Sequence, residues 1–181
     1  LEALQEAKAT WLEEPFIGPA LDSYRELAAQ SGTVKLAGGE GSQKFFDAQH
    51  LIDYGNIGFV QIDTGRIGGI GPAKQVADYA VEKGVTYVNH TFTTHLALCA
   101  SLQPFAGIEK DAICEYPVES TDMAHALTGG KILERDENGL VCVPEAPGLG
   151  IEPNPGSAAP YLVDVNISVN GKTLYSSPEL S

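Results

Sequence analysis

Basic residues are scarce in this chain: 11 lysines and arginines stand against 24 aspartates and glutamates, giving a formal charge of −13 and a pI near 4.5. Such a surface repels phosphate backbones and anionic bilayers, which excludes nucleic acid and membrane surfaces as partners. Cysteine is scarce too. Cys99, Cys114 and Cys142 are odd in number and have no Cys-x-x-Cys spacing, so they support neither a disulfide framework nor a zinc site, and a reducing, cytoplasmic setting is expected. No apolar run approaches the roughly 18 to 20 residues of a membrane span, and no basic-then-apolar signal segment opens the chain. Also absent are the G-x-S-x-G elbow of an open-sheet hydrolase, any internal repeat and any low-complexity tract. The glycine-rich turn from Gly65 to Gly71 does not fit G-x-G-x-x-G and is read as a turn needing positive φ rather than as a phosphate cradle.

What is present is a hydrophobic content of 43% over 181 residues, enough for the core of one domain. Short apolar runs alternate with helical periodicities. Runs at 10–13, 34–37, 59–62, 86–89 and 112–114 read as strands. Helices are expected at 20–29, from Phe45 to about Gly55, from Pro72 to Gly84, and through Leu96, Cys99 and Leu102. Alternation of this kind with short connections indicates parallel β/α architecture. Each run ends on a polar group: Glu13, Glu40, Asp63, His90 and Glu115. In a (β/α) barrel the active site sits on the C-terminal strand tips, whereas a doubly wound sheet gathers its functional tips at one switch point. Five loaded tips therefore favour a barrel. The chain starts at Leu1 within a helix-like segment, and the reading is of a partial barrel over residues 1–130, its second half.

Residues 131–181 change character. Lys131–Glu134 and Leu140–Val143 flank Asp136-Glu137-Asn138-Gly139 as a hairpin, 144–155 is rich in proline and glycine, and Tyr161–Val169 alternates up to Asn170-Gly171, which predicts a type I′ turn. This region reads as a C-terminal β tail.

Trp11-Leu12-Glu13-Glu14-Pro15, Gly39-Glu40, Gln61-Ile62-Asp63 with Ile67-Gly68-Gly69-Ile70, Asn89-His90 and Cys114-Glu115-Tyr116-Pro117 resemble, in order, motifs of the enolase superfamily, closest to its mandelate racemase branch. Glu13, Glu40, Asp63 and His90 stand 27, 23 and 27 residues apart, as in that family. The resemblance implies the part of the barrel from about strand 4 to strand 8. It also implies that Glu13 and Glu40 are carboxylate ligands of Mg²⁺, with Glu13 preferred over Glu14 only because the family's ligand is the acid two before the proline; strand alternation does not choose. It implies that Asp63 and His90 form an acid–base dyad and that Glu115 hydrogen-bonds an enolate oxygen in its protonated form.

The implied reaction is abstraction of the proton α to a carboxylate of a small hydroxy acid, leading to sugar-acid dehydration or, alternatively, to racemisation. A homo-oligomer is expected. The resemblance further implies that the first metal ligand, a Lys-X-Lys base and a capping domain on which the β tail packs lie outside these residues, so that this chain alone is expected to be inactive. A different class of reading is a non-catalytic half-barrel whose exposed strand edges drive association. His50, His95 and His125 are read as structural, Arg66 as an exposed arginine, and Trp11, Phe45 and Phe46 as core.

Overall fold

Four parallel strands run side by side in chain order: β1 (Trp11–Glu13), β2 (Lys35–Gly38), β3 (Phe59–Asp63) and β4 (Thr86–His90). A fifth segment joins by a parallel bridge between Val88 and Ile113. The computed structural model describes residues 1–92, 94–108 and 112–178. Sequential order without a reversal is the wall of a (β/α) barrel and not a doubly wound sheet, which needs a switch in strand order. The sequence-based fold is thereby met, with one reduction: the expected strand 112–114 is a single bridge, because residues past Ile113 pair through a side chain instead of the backbone ladder.

Helix α1 (Glu2–Glu6) precedes β1, while α2 (Leu21–Ala28), α3 (Phe45–Asp53) and α4 (Ile70–Lys83) separate the strands and α5 (His95–Leu102) follows β4. Alanines 73, 77 and 80 with Val76 form the buried stripe of α4 at i, i+3, i+4 and i+7. Small residues there let the helix lie close against Val60, Ile62 and Tyr87 in one core. Gly84, at φ +70°, ends α4 in the left-handed conformation that suits glycine. Pro72 occupies the third helical position rather than the first, still within the turn whose N–H groups lack intrahelical acceptors. The period of 3.6 also corrects one core assignment: Phe46 is 63% exposed, because it lies about 100° around α3 from its buried-side neighbour Phe45.

Period 2 divides the strands. Leu36, Val60, Ile62 and Tyr87 face the helices. Ala37, Phe59, Val88, Trp11 and Ile113 pack together on the opposite face, the barrel interior. Two residues on from Trp11, Phe59, Val88 and Ile113 stand Glu13, Gln61, His90 and Glu115, which strand geometry places on that same inner face.

Beyond α6 (Asp122–Ala126) the chain is mostly irregular up to the antiparallel hairpin β5 (Asn166–Val169) and β6 (Lys172–Ser176). Asn170 and Gly171 have φ of +50° and +73°, the two positive values of the expected type I′ turn. The other expected hairpin is reduced to one bridge between Arg135 and Val141, since Asp136 turns the chain by accepting the N–H groups of Asn138 and Leu140 at 2.8 and 2.7 Å.

Candidate active site

Parallel register places Asp63 opposite His90 at the last rung of β3 and β4. Asp63 Oδ2 lies 3.0 Å from His90 Nδ1. Its other oxygen accepts the N–H groups of Gly65 and Arg66 at 2.8 and 2.9 Å, so the carboxylate is clamped by the turn that leaves its own strand. Burial pushes this carboxyl up, but the Arg66 N–H, the His90 ring and the Gly65 N–H together outweigh it and hold Asp63 below the usual carboxylate range. Gly68 and Gly69, at φ +102° and +122°, supply the positive φ expected of this turn.

The other His90 nitrogen, Nε2, lies 3.0 Å from Glu40 Oε2. Glu40 is carried over β3 by Gly39, whose φ of +117° and close approach to the Gln61 carbonyl leave no room for a side chain: an added Cβ would lie 3.0 Å from that oxygen. Arg66 Nη1 meets Glu40 Oε1 at 2.7 Å, and its guanidinium sits 5.7 Å from the Phe92 ring centroid. Arg66 is exposed, as read from the sequence, and its guanidinium is also paired with a carboxylate of the site. Asp63, Thr64, Arg66, His90, Phe92 and, from the C-terminal region, Leu149 border a cavity of about 590 Å³ beside the dyad.

Glu13 receives the indole N–H of Trp11 at 3.1 Å and lies on the inner face. Glu14 turns away from strand geometry at φ +37° and lines a second cavity with Gly39 and Leu21 toward the helices. Its carboxyl is raised by burial and by the charge of Glu40, partly countered by the Gly39 N–H. Oxygen donors of this kind suit Mg²⁺ in chemistry. In number they do not suffice: among the described residues no group of three or more His, Cys, Asp or Glu side chains converges to hold an ion, and both oxygens of Glu40 are engaged by Arg66 and His90.

Glu115 completes the arc. Gln61 Nε2 donates to its Oε1 at 2.9 Å, and burial raises its carboxyl above the ordinary range against the lowering effects of His90 and Gln61. Its backbone N–H donates to Asn89 Oδ1 at 3.0 Å, and its carbonyl accepts from Asn89 Nδ2 at 3.1 Å. Sequence reasoning passed over Gln61 and Asn89. Their signal was a fully buried carboxamide inside an otherwise apolar parallel strand, where a polar side chain requires a partner.

His95 is buried and accepts the Leu133 N–H through Nδ1 at 3.0 Å; burial, with His125 nearby, holds its ring below the ordinary histidine range. His50 rests beside Tyr54 on α3.

Comparison with known proteins returns a match over residues 1–157 to the family described as "Enolase C-terminal domain-like". A solved structure described as a predicted mandelate racemase from Rhodobacter sphaeroides superposes with a TM-score of 0.89 at 52% identity, covering 98% of this chain and 45% of that one. The D-galactarolactone cycloisomerase of Agrobacterium fabrum is 30% identical over 150 residues, covering 80% of this chain and 39% of the relative. A D-galactonate dehydratase family member of Oceanicola granulosus is 32% identical over 169 residues, covering 88% and 40%. The chain spans less than half the length of each of these relatives.

Proposed function

This chain belongs to the enolase superfamily, in its mandelate racemase branch, and from that membership we propose that the protein abstracts the proton α to a carboxylate of a sugar acid and eliminates its β-hydroxyl. The observation that carries the reading is the Asp63–His90 pair, a carboxylate at 3.0 Å from one ring nitrogen at the tips of adjacent strands. Asp63 fixes the tautomer and orientation of the ring and stabilises its charged form, which makes Nε2 the atom that takes the α-proton. For that nitrogen to act, it exchanges its Glu40 contact for the substrate. We assign Glu115, whose carboxyl burial shifts toward the protonated form, to hydrogen-bond the carboxylate oxygen that gains charge as the C–H bond breaks. The proton taken by His90 is available to the departing hydroxyl, so that water leaves and an enol remains to tautomerise to the 2-keto acid.

We assign Glu13 and Glu40 as ligands of a magnesium ion, with a third carboxylate from residues outside these 181. Such an ion would supply positive charge to the substrate carboxylate. Glu13 is assigned over Glu14 because it shares the inner face with Trp11 and Gln61, whereas Glu14 lines the cavity toward the helices. The substrate is a small hydroxy-carboxylate, and we infer a cytoplasmic homo-oligomer. No helix among the described residues is long and apolar enough to cross a membrane.

The cycloisomerase among the relatives favours isomerisation as the second reading. Both share the first proton abstraction, so one test addresses them together. The intact protein with Mg²⁺ is incubated with candidate sugar acids in D₂O: exchange of the α-proton is expected, with loss of about 10²–10⁴-fold in His90→Asn. Undiminished exchange in that variant removes His90 as the base, and formation of 2-keto acid separates dehydration from isomerisation.

A further inference from the structure

Glu115 has no backbone place in the sheet. The parallel pairing to β4 ends at the Val88–Ile113 bridge, and what continues it is a side chain: Asn89 presents its Oδ1 to the Glu115 N–H and its Nδ2 to the Glu115 carbonyl, at 3.0 and 3.1 Å. One carboxamide thus replaces the ladder contacts of one residue, because its acceptor and donor stand side by side. The same Nδ2 reaches Ser101 Oγ at 3.1 Å, and Ser101 donates to the Leu98 carbonyl of α5 at 2.9 Å, so the clamp is tied to the helix behind the strand. Both Asn89 and Ser101 are essentially inaccessible to solvent. On the inner face Gln61, also fully buried, holds the Glu115 carboxyl through Nε2, while its Oε1 has no hydrogen-bond partner among the described residues.

We propose that Asn89 is the positioning residue of Glu115, with Gln61 orienting the carboxyl that Asn89 has placed. Asn89 immediately precedes His90, so a single strand end sets the base by its own side chain and the opposing carboxyl by its neighbour's carboxamide. The distance between the two is thereby fixed by β4 and not by the irregular chain beyond Ile113. This inference rests on the reading that Glu115 works on the substrate.

The test has two arms in the intact, Mg²⁺-loaded protein. In Asn89→Leu, which keeps the branched shape and removes both contacts, kcat for α-proton exchange is expected to fall about 10²-fold, as for a group displaced by about an ångström, while KM changes little. Without substrate, the ¹³C carboxyl resonance of Glu115, assigned by its disappearance in Glu115→Gln, is expected to move or broaden while the His90 imidazole resonances keep their positions. Ser101→Ala, which frees only the second Nδ2 contact, is expected to show a smaller effect of the same kind and serves if Asn89→Leu does not fold. A Glu115 resonance unmoved in the folded variants overturns the proposal. Absence of exchange in the wild type, with the Glu115 resonance still displaced, overturns the reaction and leaves the positioning intact.

Discussion

Residues 11–102 and residues 161–176 both carry alternating or continuous apolar residues, yet only the first stretch buries them. Val60 and Ile62 in β3 are wholly inaccessible, whereas Ile167, Val169, Leu174 and Tyr175 of the hairpin are each 49–61% exposed. In the first region helices cover one side of a parallel sheet, and the strands gain from both faces. The hairpin forms from local turn chemistry at Asn170-Gly171, but a two-stranded ribbon has no second layer of its own and is marginal in water. A register can therefore be specified locally while its burial is supplied from elsewhere. We propose that this tail packs on a capping domain contributed by residues outside the 181 of this chain.

Substitutions sharpen that contrast. Ile62→Ala, in a well-packed core, is expected to cost about 2–5 kcal/mol, and Leu174→Ala in this chain no more than about 0.5 kcal/mol, both read from denaturant unfolding. Amides of β3 should likewise outlast those of β5 in hydrogen exchange. An equally costly Leu174→Ala would show that the tail is already covered and that the comparison fails.

A smaller effect separates two carboxyls within the first region. Asp63 is depressed in the folded chain, so its contribution to stability is present above the unfolded carboxyl range and is lost as pH falls through its folded value. Glu115 is raised, so folding loses stability as pH climbs from the unfolded value, about 4.3, to the folded one. Unfolding curves across pH should accordingly show Asp63→Asn destabilised at neutral pH and Glu115→Gln stabilised there, with both differences closing in acid. A Glu115→Gln protein less stable than wild type at neutral pH would contradict the sign. The smallest effect is kinetic. Cys142 in the exposed region should react first with iodoacetamide, ahead of Cys114, whose thiol burial pushes up to about 11, and of the fully buried Cys99. Mass spectrometry of timed samples reads the order.

Much of this architecture was legible beforehand because its causes are local. Apolar runs bounded by turns gave β1 to β4, and Glu13, Asp63 and His90 are the terminal residues of three of them. Gly84 and Asn170-Gly171 stop or turn the chain for steric reasons that act over a few residues. Less legible was anything resting on a contact between distant segments. The bridge at Ile113 looked like a strand, since an apolar triplet does not reveal that Asn89, 26 residues before Glu115, takes over the ladder there. The exposure of Arg66 was legible, but its pairing with Glu40 was not, because that partner lies in a different loop.

The chain of residues by itself determined which groups are delivered to the strand ends or just beyond them: Glu13, Asp63 and His90 at the last strand positions and Glu40 and Glu115 a residue or two past the paired segments follow from periodicity and turn chemistry, which depend on near neighbours. Only the tertiary structure decided how those groups are paired. The ring of His90 faces Asp63 on one side and Glu40 on the other, and Glu115 is held by Gln61 and Asn89, because strand register and the curvature of the sheet, not sequence spacing, set which side chains stand within 3 Å of each other.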